Sequence, residues 1–151
     1  MPETPNPTAP LSALRLEERL RATGLFFSQA LRTSTATGPV VPSSPALARA
    51  MAEHVRRRPD PEQPLRIMEV GAGTGAITRG IADAMRAGDT VDLVESNVEF
   101  AAHLEHLLET DPQLAPMADS ASVHAELVHE MDTDRTYDVI LSGLPFANCT
   151  A

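Results

Sequence analysis

The chain has 151 residues, 42% of them hydrophobic but only 3% aromatic, which is enough for one domain with an aliphatic core. No window is long and apolar enough to cross a bilayer. The opening Met1-Pro2-Glu3-Thr4-Pro5-Asn6-Pro7 lacks the basic start and apolar run of a secretory signal, and the single Cys149 excludes an internal disulfide and fits a reducing cytoplasm. The net charge of -9 is unevenly spread. Residues 1–66 hold nine arginines against six acids, and the remainder holds three against fifteen. The chain therefore reads as a basic arm on an acidic body, or simply as solvated faces of opposite sign.

Residues 1–10, rich in Pro, Thr and Asn, predict a disordered tail. A helical pattern begins at Leu11, with Ser12 as cap; Leu16, Leu20, Phe26, Phe27, Ala30 and Leu31 supply an apolar side among Arg15, Arg19, Arg21 and Arg32. Such a segment either lies on a membrane as a basic amphipathic element or packs its apolar side on the domain. The prolines and glycine of Thr37 to Pro45 break regular structure. Ser44 as cap and Pro45 in the first turn then start a helix over Ala46 to about Arg57, with Leu47, Met51 and Val55 on one stripe. Arg56-Arg57-Arg58 closes it at the negative end of the helix dipole, and a proline-stiffened linker leads to residue 64.

Leu65 to Val70 predicts a strand, Ile77, Ile81 and Met85 a helix, and Gly88-Asp89 a turn. Thr90 to Glu95 predicts a second strand. A helix capped by Asn97 follows, with Phe100, Leu104 and Leu107 or Leu108 inward, and then a loop over Asp111 to Asp119. Ser122 to Glu126 and Tyr137 to Leu141 are the third and fourth strands. Strands alternating with helices imply an α/β parallel sheet with helices on both faces.

Between the first strand and its helix stands Glu69-Val70-Gly71-Ala72-Gly73-Thr74-Gly75. Glycine permits the sharp turn and a ligand's close approach to the backbone. Strand, glycine turn and helix in succession are the context of a nucleotide-type site. The Gly71, Gly73, Gly75 spacing is one residue tighter than the dinucleotide pattern, and the acid at Glu69 suits a cationic ligand better than a pyrophosphate. This acid-led loop resembles that of S-adenosylmethionine (SAM) methyltransferases. Glu95, 24 residues after Gly71 at the end of the second strand, is placed to accept hydrogen bonds from ribose hydroxyls. Glu126, ending the third strand, is either the acceptor for an adenine amino group or a surface acid. Ser142-Gly143-Leu144-Pro145-Phe146 follows the fourth strand at the edge where an acceptor would meet the cofactor. There the Phe146 ring either faces a cationic amine or is buried in the turn.

Taken together, Phe26-Phe27, Ala30-Leu31, Thr37 to Ala48, Glu69 to Gly75, Val94-Glu95-Ser96-Asn97 and Ser142 to Phe146 follow one another as in bacterial phospholipid N-methyltransferases. The chain resembles that family from about Leu20 onward, and the family in turn resembles ribosomal RNA adenine dimethyltransferases. The resemblance implies a Rossmann-like class I methyltransferase domain over residues 64–151, behind a helical, cofactor-covering extension over 11–58. It implies SAM as cofactor, held by Val41, Ser43, Glu69, Gly71, Ala72, Gly73, Gly75, Glu95, Ser96, Glu126 and Ser142, with Gly143, Leu144, Pro145 and Phe146 as the catalytic turn. It further implies methylation of phosphatidylethanolamine or a related aminolipid at the cytoplasmic membrane face, with residues 12–32 meeting an anionic surface. No metal and no nucleic acid are expected.

The adenine dimethyltransferases usually carry asparagine where this chain has Gly143, and the basic footprint for RNA is small. Alternatives are an RNA adenine dimethyltransferase, a non-catalytic SAM-binding domain and an NAD enzyme. A class I sheet has seven strands and this sequence supplies four. The expectation is therefore a fold truncated after its fourth strand, with intact cofactor residues and an exposed edge.

Overall fold

The computed structural model describes residues 44–132 and 134–144. The tail over 1–10, the helical segment expected over 11–32, and Val41, Ser43, Pro145 and Phe146 lie outside them.

A helix α1 (Pro45–Arg56) precedes the sheet. Then come β1 (Arg66–Val70), α2 (Ala76–Ala84), β2 (Thr90–Val94), α3 (Val98–Thr110), a 3-10 turn (Ala115–Ser120), β3 (Ala121–His124) and β4 (Val139–Ser142). The four strands are all parallel, in the order β3-β2-β1-β4. Parallel neighbours demand crossovers, which α2 and α3 supply. The chain steps outward from β1 to β3 and then returns to the far side of β1. The switch point between β1 and β4 is where open α/β sheets bind their ligands, beyond the carboxyl ends of the strands.

Register sets two faces. Glu69 lies opposite both Leu93 and Leu141, and Val70 opposite Val94 and Ser142. On one face Ile67, Val91, Leu93 and Leu141 join Ala52 and Val55 of α1, Ile77 and Ile81 of α2, and Leu104 and Leu108 of α3 in a single core. On the other, Met68, Val70 and Val94 are closed by Met131 and Tyr137 from the β3–β4 connection. Helices are expected on both faces; among the described residues all three contribute to the first.

The helix starts are where the sequence places them. Ser44 Oγ accepts the Leu47 amide at 3.2 Å, and Asn97 Oδ1 accepts those of Glu99 and Phe100 at 2.9 and 3.2 Å. Other details differ. The buried stripe of α1 is Ala48, Ala52 and Val55, while Leu47 is exposed. Small residues face inward because α1 lies hard against α2: a Cβ on Gly80 would meet the Ala48 carbonyl oxygen at 2.7 Å. Met85 falls just past α2, its amide closing the helix on Ile81 O. The second half of the expected loop over 111–119 is the 3-10 turn, which runs on to Ser120, buries Met117 and is preceded by the buried Leu114.

β3 ends at His124 rather than Glu126, because β2 itself turns away after His124 O accepts the Glu95 amide at 3.0 Å. β4 begins two residues later than expected. The Tyr137 hydroxyl is drawn to Asp92 at 2.7 Å, and Asp138 closes the start of β1 by accepting the Arg66 amide at 2.7 Å.

Candidate functional site

The end of β2 shapes the glycine loop. Val94 O accepts the amides of Gly71 and Ala72 at 2.8 and 3.3 Å, and Gly75 donates to Ala72 O at 2.9 Å. The Gly73 amide donates to Glu95 Oε2 at 2.9 Å. All three loop glycines have positive φ, +72°, +52° and +78°, a region costly to any side chain. Four loop amides are thus spent inside the protein, whereas a phosphate cradle needs amides aimed at the ligand. At Gly73 an added Cβ would find nothing nearer than Gly71 O at 3.8 Å, so the loop's outer surface is open to close approach.

Glu95 is buried at the end of β2, held from both sides. Oε2 takes the Gly73 amide, and Oε1 takes the Asn97 amide at 2.9 Å. A carboxylate oxygen has two acceptor positions, so each retains one. This rigid carboxylate beside an open glycine surface fits the hydroxyls of a ribose, and the occupied amides do not fit a pyrophosphate. Ser96 next to it is exposed.

Glu69 differs from the open anion that its position suggests. It is 0% exposed, set between Leu93 and Leu141. Its Oε2 accepts the Thr78 hydroxyl of α2 at 2.7 Å, while Oε1 has no partner among the described groups. Burial pushes its carboxyl up to about 8, against the opposing pull of the Thr78 hydrogen bond and with a small addition from Glu95. Through Thr78 it ties β1 to α2 beneath the loop.

Across β1, the turn after β4 meets the loop directly. The Gly143 amide donates to Val70 O at 2.8 Å, and Ser142 Oγ accepts the Leu144 amide at 3.3 Å. A Cβ on Gly71 would stand 2.7 Å from Leu144 Cδ2, and one on Gly143 would stand 2.8 Å from Gly71 O. The cofactor loop and the acceptor turn thus touch because both are bare of side chains at the crossing point. Glu126 lies two residues beyond β3, half-exposed, with Oε1 3.6 Å from His124 Nδ1.

The sequence reading missed the polar groups that support these elements. Asp92, on the opposite face of β2, accepts from Tyr137 at 2.7 Å and faces His124 Nε2 at 2.8 Å, with Arg135 at 3.7 Å. Burial works against its charge, but the His124 and Tyr137 hydrogen bonds outweigh it and hold its carboxyl below the ordinary value. Asp89, read only as a turn, accepts four donors: both terminal nitrogens of Arg58 at 2.8 and 2.7 Å, and the amides of Leu65 and Arg86 at 2.8 Å. The one signal for such roles was an acid in an otherwise apolar strand, as at Asp92. A groove of about 410 Å³ between α1 and α2 is lined by Arg49, Thr74, Arg79, Asp83 and Gln113 among others, and by none of the expected site residues. Among the described residues there is no cluster of three metal-ligating side chains, and no helix long and apolar enough to cross a membrane.

No family model matches the sequence. The chain is similar to an ornithine lipid N-methyltransferase of Singulisphaera acidiphila, 27% identical over 122 residues, covering 80% of this chain and 60% of that protein. Among solved structures it is similar to the O-methyltransferase TomG of Streptomyces achromogenes, a complex with SAM (TM-score 0.55, 18% identity, 78% of this chain and 52% of that one). It is also similar to a precorrin-6y C5,15-methyltransferase of Geobacter metallireducens (TM-score 0.51, 13% identity, 64% and 47%). The fold is therefore that of the Rossmann-like class I methyltransferases. This chain spans about half to three-fifths of the length of these relatives.

Proposed function

We propose that the chain carries the SAM-binding half of an N-methyltransferase that acts on the amino headgroup of an aminolipid, phosphatidylethanolamine or a relative of it. The observation that carries the cofactor is the use of the loop: its amides are spent internally while Glu95 keeps free acceptor positions beside an open Gly73. That chemistry favours a ribosyl ligand without a pyrophosphate, and so SAM over NAD. Glu95 would hold the ribose, Gly71 to Gly75 would lie against the ligand, and Glu126 would reach the adenine amino group. Bound SAM would supply an electrophilic methyl group. The turn at Gly143-Leu144, pressed on the loop, orients the acceptor; positioning of this kind supplies roughly 7–11 kcal/mol at its upper end.

The acceptor class draws support from the similarity to the ornithine lipid enzyme and from Gly143. An asparagine there, as in adenine dimethyltransferases, would bring its Cβ to 2.8 Å from Gly71 O. The same reading places the protein at the cytoplasmic membrane face, with residues 12–32 on anionic lipid.

Calorimetry with S-adenosylhomocysteine (SAH) and with NAD tests the cofactor, the expected result being binding of SAH alone. Labelled methyl transfer to phosphatidylethanolamine vesicles and to RNA tests the acceptor. Binding of NAD but not SAH would overturn the first assignment, and transfer to RNA but not to vesicles the second.

A further inference from the structure

Large apolar side chains exposed among the described residues collect at one edge. Val98 opens α3 just beyond β2, Leu127 and Val128 follow β3, and Leu144 follows β4. Leu47 sits in the first turn of α1, beside Pro45 and Ala48, which share a groove with Thr74 of the glycine loop and Ala76 at the start of α2. Ile140, in mid-strand, is the one large exposed apolar residue of this group located elsewhere. The opposite edge of the sheet is polar, closed by Arg58 and Asp89 with Asp60, Glu62 and Arg86 around them.

We propose that Leu47, Val98, Leu127, Val128 and Leu144 form a rim that rests on a lipid surface, so that the carboxyl edge of the sheet faces the bilayer. The inference rests on the aminolipid reading and gives it a geometry. In an aminolipid the amine is tethered to the acyl chains through the length of a single headgroup. An amine that reaches Gly143 and Leu144 therefore brings the membrane interface to the same edge. Side chains flanking that point sit at headgroup depth, where apolar groups gain by leaving water. Val98 is 68% exposed and Leu47 49%, so each has surface to lose there. The charged neighbours of the rim are mainly acids, Glu99, Glu126 and Glu130, against Arg49. They suit headgroups bearing an ammonium group and repel anionic ones. This contact is thus independent of the basic segment 12–32.

The test uses the full chain and zwitterionic vesicles of phosphatidylcholine with phosphatidylethanolamine, on which a basic segment gains little. The double variant L47E/V98D keeps the fold. Glu at the third residue after Ser44 completes a capping box, and Asp at the first residue of α3 is favoured by the helix dipole. Vesicle partitioning should fall about tenfold, with melting temperature unchanged or raised. Unchanged partitioning, or a wild-type chain that does not bind these vesicles, would overturn the proposal. So would a variant that dissociates a dimer in sedimentation while partitioning as before, since the rim would then join two copies. SAH affinity measured in parallel reports on the cofactor separately.

Discussion

At Glu69 the strand register and the chemistry of the acid work against each other: a position facing Leu93 and Leu141 is one for an apolar side chain, yet it holds a carboxyl. An acid raised from 4.5 to about 8 binds its proton more tightly folded than unfolded. Its contribution is therefore fully present below pH 4.5 and is lost as pH rises through about 8. At about 1.4 kcal/mol per unit, the loss is on the order of 5 kcal/mol. Glu69→Gln, fixed in the neutral form, should remove that decline, so that the variant outlasts the wild type at pH 8.5 but not at pH 5 in thermal denaturation. Parallel pH profiles would contradict this account. Glu95 works the other way, as an anion anchored by amides for a partner outside. Glu95→Gln, with one acceptor oxygen in place of two, should weaken SAH binding at least tenfold by calorimetry while costing only about 1 kcal/mol of stability.

The elements meet at close approaches that depend on missing side chains. Gly80 lets α2 touch the backbone of α1 at Ala48. In an isolated helix Gly80→Ala would add about 1 kcal/mol. Here the Cβ lands 2.7 Å from a carbonyl oxygen that cannot swing aside. We expect a net loss of about 1–2 kcal/mol, read from urea denaturation; a stabilised variant would show that the two helices separate freely. This contact also marks what the sequence made legible. The strand and helix order, the caps at Ser44 and Asn97 and the glycine turn follow from local spacing and turn chemistry, and each is found where expected. Periodicity puts Leu47 on the buried stripe because it counts large apolar residues, whereas the interface selects small ones, Ala48, Ala52 and Gly80. Glu126 was placed on a strand because a short β run has no terminator of its own; β3 stops where β2 ceases to pair with it. The placing of Glu95 and Gly143 beside the loop depends on the strand order β3-β2-β1-β4, which the alternation of strands and helices leaves open. The side-chain partners of Asp89 and Asp92 lie 31 to 45 residues away, and no local pattern carries those.

Across the whole molecule, stability and site lie at opposite edges of the sheet. The carboxyl edge carries the glycine loop, Glu95, the Gly143 turn and the apolar rim. The amino edge is held by Arg58 and Asp89, whose side chains are 2% and 0% exposed. Asp89 satisfies all its acceptor positions with donors from the end of α1, from Leu65 before β1 and from Arg86 before β2. Burial alone would raise the Asp89 carboxyl, but the Arg58 and amide hydrogen bonds prevail and hold it below its ordinary value. A buried ion pair is often no more stabilising than apolar residues of the same volume, but removing one partner strands the other, at about 3–5 kcal/mol. Arg58→Met should cost that much in urea denaturation. Its loss should grow less severe as pH falls through the carboxylate range, where the stranded Asp89 takes up a proton. The double variant Arg58→Met with Asp89→Asn removes the stranded charge and should recover part of the loss. At low temperature, where both variants remain folded, SAH affinity should match the wild type, because no group of the cofactor loop touches this pair. Equal losses of stability and affinity in Arg58→Met would mean that the two edges are coupled through β1 and β2. The division of labour between them would then fail.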